Sequence, residues 1–114
     1  MLNETWGKKK KVKKKRDEGF VYFIRVGDYG PIKIGWSTNP MRRLKDLRTG
    51  SYDNVNIFNM IGYCKGSQSQ EKALHAKLWR HKRSGNIGKE WFDPSPEVLE
   101  TIGLILLEGN LLGS

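Results

Sequence analysis

A chain of 114 residues with 21 Lys+Arg against 12 Asp+Glu has room for one small domain and one site, and its formal charge of +9 points to an anionic partner such as nucleic acid or anionic lipid. Its one cysteine, Cys64, excludes an intrachain disulfide and a zinc site built on thiolates. No apolar run approaches the roughly 18 residues that span a bilayer, and no apolar stretch follows the N-terminal charges as in a signal peptide, so a cytoplasmic chain with no membrane partner is expected.

The charge is uneven. Residues 1–18 carry eight basic side chains against three acidic ones, more than half of the whole excess. Lys8, Lys9, Lys10, Lys11, Lys13, Lys14, Lys15 and Arg16 repel one another and bring almost no apolar surface, so this stretch reads as a disordered basic arm. At such density it is expected to bind phosphates by counterion release, although a solubilising tail or a nuclear-localisation signal has the same composition.

Folded structure is expected from Phe20, where residues 20–26 are rich in aromatic and β-branched side chains, as in a well-buried strand. After a turn over residues 27–31, Ile32, Ile34 and Trp36 alternate with Lys33 and Gly35, which predicts a second strand joined to the first as a hairpin. Asn39 followed by Pro40 marks the start of a short helix over residues 40–48, with Met41, Leu44 and Leu47 facing inward. Residues 55–63 make a third strand, bounded by Asp53-Asn54 and Gly62.

Ser67 and Gln70 have the spacing of a capping box, opening a helix over residues 68–83 with Ala73, Leu74, Leu78 and Trp79 on its apolar face. Gly85 and Gly88 end it. Glu90-Trp91-Phe92 is too short to type and fits either an added strand or a plug at the core edge. Ser95-Pro96 opens a last helix over residues 96–108, whose run of Ile and Leu implies packing on the domain or on a second copy as a homodimer. Three units result: an arm (1–18), a domain (19–92) and an apolar helix (93–114).

The order strand, turn, strand, helix, strand, helix, with Gly19-Phe20-Val21-Tyr22-Phe23 ahead of Lys33-Ile34-Gly35, resembles the GIY-YIG nuclease superfamily. Val21-Tyr22-Phe23-Ile24, residues 32–38, Arg43-Leu44, Glu71 with Leu74-His75, and Glu90-Trp91-Phe92 are similar, more narrowly, to its bacteriophage Orf-type DNA-binding branch, also associated with meiotically up-regulated gene products. The resemblance implies an α+β fold, a three-stranded antiparallel sheet flanked by helices. It also implies DNA as partner, a Mg2+ or Mn2+ cofactor and, for a viral chain, the host cytoplasm.

Carried over residue by residue, the resemblance assigns Tyr22 to positioning or activating the attacking water, Arg43 to the phosphate and Glu71 to the metal. Its guanidinium fork suits Arg43 to two oxygens of one phosphate, and a single carboxylate with waters and substrate oxygens is a normal magnesium arrangement. His75, one helical turn after Glu71, is placed to hold Glu71, contact a phosphate or donate a proton.

Lys33 stands where the second triplet usually has tyrosine, a departure that bears on hydrolysis; an ammonium there can offset charge developing on a phosphate. Arg42 competes with Arg43 by register and is expected to point into solvent or towards the DNA backbone. Trp36 is the candidate base-stacking side chain, Asn86 the available late asparagine, and Glu90 either structural or a second acid. Each site residue also has a plain structural reading, as a strand tyrosine, a solvated lysine or a helix-surface charge. Three functions are therefore carried: a metal-dependent DNA endonuclease, a DNA-binding module on the same scaffold with weak or no cleavage, and a structural or protein-interaction domain whose apolar last helix pairs with a partner.

Overall fold

A computed structural model describes residues 18–49, 57–83 and 91–109. The basic block 8–16, the turn at residues 53–54, Asn86 and Glu90 lie outside the described residues. The first strand, β1 (Gly19–Val26), has Val21 and Phe23 on one face and Tyr22 and Ile24 on the other, all four buried. Burial on both faces is why its sequence runs apolar without alternating: β1 lies inside the sheet and is covered on both sides. The second strand, β2 (Ile32–Ser37), returns antiparallel, setting Tyr22 opposite Gly35 and Ile24 opposite Lys33, so the expected hairpin is present. Gly27, at φ 60°, supplies the left-handed residue of its turn, and the Val26 N–H closes it on the Pro31 carbonyl at 3.0 Å.

Helix α1 (Pro40–Thr49) follows, started by Asn39, whose side-chain oxygen accepts from the Arg42 N–H at 3.2 Å. Leu44 is buried and Leu47 half-buried, whereas Met41, expected to face inward, is half exposed at the outer edge of the first turn. Arg48 fixes the other end, donating from Nε and Nη2 to the Phe58 carbonyl at 3.1 and 2.8 Å.

Strand β3 (Phe58–Gly66) pairs antiparallel with the other edge of β1. It ends three residues later than the sequence predicts, because Gly62 is not a stop. A side chain there would meet Leu106 of the last helix, so this glycine lets helix and sheet approach closely. A register shift between Phe23 and Ile24 leaves Ile61 without a partner on β1, as in a β-bulge.

Helix α2 (Gln68–Lys77) opens with the expected capping box: Ser67 Oγ accepts from the Gln70 N–H at 3.2 Å and Gln70 Oε1 from the Ser67 N–H at 2.8 Å. It stops six residues short of the predicted end. Leu78 leaves the helical conformation, Trp79–His81 form a single 3-10 turn, and the chain turns to pair with a strand the sequence did not type, β4 (Trp91–Phe92). Lys82 bridges Phe92, and the Arg83 N–H donates to the Trp91 carbonyl at 2.8 Å. Of the predicted apolar face of α2, Leu74 and Leu78 are buried, while Ala73 and Trp79 face solvent.

The sheet accordingly has four strands rather than three, in the order β3-β1-β2-β4, and the fold is a small α+β one with helices against an antiparallel sheet. The main core unites Val21, Phe23, Ile32, Ile34 and Phe92 of the sheet with Leu74 and Leu78 and with Val98, Ile102 and Ile105 of α3 (Pro96–Glu108). Helix α3 begins at the Ser95 cap, as predicted, and leaves Leu104 and Leu107 exposed. A second cluster, Tyr22, Ile24 and Leu44 with Leu47, Phe58 and Met60, fills the opposite face beneath α1. Cys64 belongs to the main core, where burial raises its thiol pKa and keeps it out of the reactive thiolate form.

Candidate functional site

The chemistry-bearing side chains gather around one short stretch of β2, Ile34-Gly35. Among the described residues β4 pairs only with Ile32 and Lys33 of β2, and α2 lies against β2. There, His75 Nε2 lies 2.8 Å from the Ile34 carbonyl and 3.2 Å from Glu71 Oε2. A carbonyl oxygen only accepts, so Nε2 carries the proton and donates, and Nδ1 is the nitrogen left to accept in the neutral ring. The ring is held further by Phe92, edge-on at 4.9 Å with an interplanar angle of 86°.

Glu71 is one helical turn before His75, in the first turn of α2, where the partial positive charge of the helix N-terminus favours a carboxylate. Its Oε2 faces His75, which leaves Oε1 for a ligand. Both side chains are largely buried. The capping box fixes where α2 starts, and so which turn presents Glu71 to β2.

Tyr22 reaches the same stretch from the opposite face. Its ring and hydroxyl fill the volume that a β-carbon on Gly35 would take, with the hydroxyl nearest. The glycine of the second triplet thus has a steric cause: the phenol of the first triplet lies across it. Gly35→Ala is expected to cost about 1–3 kcal/mol, because Tyr22 is buried against Ile24 and Leu44 and has little room to shift. In a Tyr22→Ala background the same change should cost much less. Chemical denaturation of the four proteins checks this, and equal costs in both backgrounds would contradict the contact.

Lys33 is two residues before Gly35, on the same sheet face as Tyr22, and only 6% exposed. Its Nζ sits 5.8 Å from the centroid of the Trp91 ring, within reach of a cation–π contact. Trp91 does not plug the main core as Phe92 does; it is half-buried, tilted against Phe58 at 6.2 Å. Arg43 stands beside buried Leu44 on α1, half exposed, with Nη1 3.8 Å from Asp46, an exposed i,i+3 pair that contributes little by itself. Arg42 is exposed and lines a shallow surface depression with Asn39, Lys45 and Asp46.

Tyr22, Lys33, Glu71 and His75 are thereby drawn to one region of β2, with Arg43 on the helix that covers Tyr22. Trp36 is placed differently from the stacking role expected of it. Its indole lies against Gly19, packs on the main core and donates from Nε1 to the Gly66 carbonyl at 2.8 Å, strapping β2 to the end of β3 across β1. Among the described residues the exposed tryptophan is Trp79, which helical periodicity places on the apolar face; the cations following it in Arg80-His81-Lys82-Arg83 are the available signal.

Among the described residues no group of three or more His, Cys, Asp or Glu could enclose a metal ion. Neither the curated proteins nor the solved structures contain a match to the chain. The T5orf172 domain model matches residues 19–105, from the first residue of β1 into α3, and the chain belongs to the T5orf172 domain family.

Proposed function

We propose that this protein is a metal-dependent DNA endonuclease of GIY-YIG type, in the bacteriophage Orf and meiotically up-regulated gene branch, hydrolysing phosphodiester bonds at the edge of β2. The T5orf172 family is associated with GIY-YIG- and HNH-type nuclease-like modules, which supports a nuclease or DNA-binding role. The observation that carries the reading is that Glu71 and His75, at the Ile34 carbonyl, and Tyr22, lying across Gly35 from the opposite face, approach adjacent residues of β2, with buried Lys33 close by in the same strand.

A Mg2+ or Mn2+ ion fits this donor set, because such ions commonly take one or two carboxylates and complete their shell with water and phosphate oxygens. Glu71 would hold it through Oε1, and when bound it would offset charge on the phosphate and acidify a water. His75, its Nε2–H held by the Ile34 carbonyl, stands beside the Glu71 carboxylate at 3.2 Å and limits where it can turn. Lys33 and Arg43 bind phosphate oxygens, and the Tyr22 hydroxyl aligns the attacking water.

A second reading, in which the scaffold binds DNA without efficient cleavage, is favoured by Lys33, which takes the place of a tyrosine and lies against Trp91. Supercoiled plasmid separates the two. An endonuclease converts it to nicked circles with Mg2+ and stops with EDTA, whereas binding with no nicking under any divalent metal would leave only the second reading.

The basic arm is expected to supply much of the salt-sensitive affinity. Deleting residues 1–18 should flatten the plot of log affinity against log salt by several units, since each phosphate released from contact removes about 0.9. An unchanged slope would take the arm out of the interface.

A further inference from the structure

We propose that Trp79 is a stacking platform for an unpaired base, so that the protein takes nucleic acid with a single-stranded stretch next to its site; the inference rests on the DNA reading above. Trp79 is 63% exposed, whereas Trp36 and Trp91 are half-buried and engaged within the fold. An indole left in water on a folded surface forgoes the burial that makes tryptophan stabilising.

Nor is it a side chain on a loose end. The turn that carries it is fastened on every side: Leu78 N–H to the Leu74 carbonyl at 3.1 Å, Lys82 N–H to the Trp79 carbonyl at 3.2 Å, and Asp93 N–H to the His81 carbonyl at 2.7 Å. His81 Nε2 meets Glu97 at 2.8 Å, and Arg83 Nε meets Asp93 at 2.6 Å. The fold therefore holds an exposed aromatic surface in a fixed place.

Its surroundings select the ligand. From Lys72 to Arg83 the chain holds Lys72, Lys77, Arg80, Lys82 and Arg83 and no acidic residue. His81 and Arg83 are paired with acids across the turn, while the Arg80 guanidinium lies 5.7 Å from the centroid of the Trp79 ring. An aromatic face with a guanidinium beside it, set among cations, is the combination that grips single strands: the ring stacks on a base and the cations follow the backbone. A base already stacked in a duplex would first have to be unstacked, at a cost of a few kcal/mol per step, so the platform favours unpaired nucleotides.

Position ties it to the site. Glu71 and His75 stand in α2, and Trp79 opens the 3-10 turn that follows that helix directly. The platform is thus joined to the site by one short, continuous stretch of chain, over which a single strand of a few nucleotides, each about 3.4 Å, can run.

The test uses the full chain in EDTA at one fixed salt concentration, with a labelled oligothymidine and a labelled duplex of equal length, followed by fluorescence anisotropy. Trp79→Ala is expected to weaken single-strand binding roughly tenfold and duplex binding less than about twofold, with Trp79→Tyr restoring most of the loss. An unchanged single-strand affinity, or an equal loss on both probes, overturns the platform while leaving the DNA reading intact. So does a wild-type chain that binds the duplex but not the single strand. Wild type binding neither probe overturns both.

Discussion

Phe92→Ala is expected to remove about 3–5 kcal/mol of folding stability, the usual cost of emptying a fully buried aromatic site. Its side chain is fully buried in the main core, although its strand is two residues long. Against a total of about 5–15 kcal/mol for a small domain, such a loss brings the protein close to unfolding. The effect reaches the site as well, because Phe92 supports the ring of His75 edge-on and its backbone ties down the turn after α2. Urea denaturation of the variant beside wild type measures it. A loss below about 1 kcal/mol would mean that β4 adds nothing to the core and that His75 is held by its hydrogen bond to the Ile34 carbonyl alone.

That strand also marks where local pattern stops being informative. The hairpin was legible because Ile32, Ile34 and Trp36 alternate with Lys33 and Gly35, and both α1 and α3 announce themselves by a cap followed by proline. Two residues carry no period, so Trp91 and Phe92 become a strand only through Ile32 and Lys33, nearly sixty positions away. The same distant pairing ends α2. Leu78 continues the four-residue rhythm of Leu74, and only the pull of Lys82 and Arg83 onto β4 explains why Trp79 leaves the helix and turns outward. Gly62 misled in the opposite sense, since a glycine inside a strand and a glycine at its end look alike until Leu106 is seen above it.

For the site, the resemblance to the GIY-YIG superfamily pointed to Tyr22, Lys33, Arg43, Glu71 and His75, but not to what holds them. That Gly35 exists to admit the Tyr22 phenol depends on cross-strand register. That His75 donates from Nε2 depends on a carbonyl forty-one residues away. Trp36 and Trp79 exchange their expected places for a similar reason: one finds the Gly66 carbonyl across the sheet, and the other is turned out by the end of α2.

Glu71→Gln carries the second large expectation. The amide keeps the size of the side chain, and His75 stays held by the Ile34 carbonyl, so the fold is preserved. What is lost is the negative charge that would hold the metal ion. Losing several kcal/mol of charge stabilisation in the transition state corresponds to a rate at least about 100-fold lower. Affinity for DNA, which the proposed reading assigns to the lysines and arginines, is expected to stay within about twofold of wild type. The deciding measurement is the rate of Mg2+-dependent nicking of supercoiled plasmid by wild type and Glu71→Gln at matched DNA occupancy. The account expects nicking by wild type and a fall of at least about 100-fold in the variant; equal rates in the two proteins would contradict it.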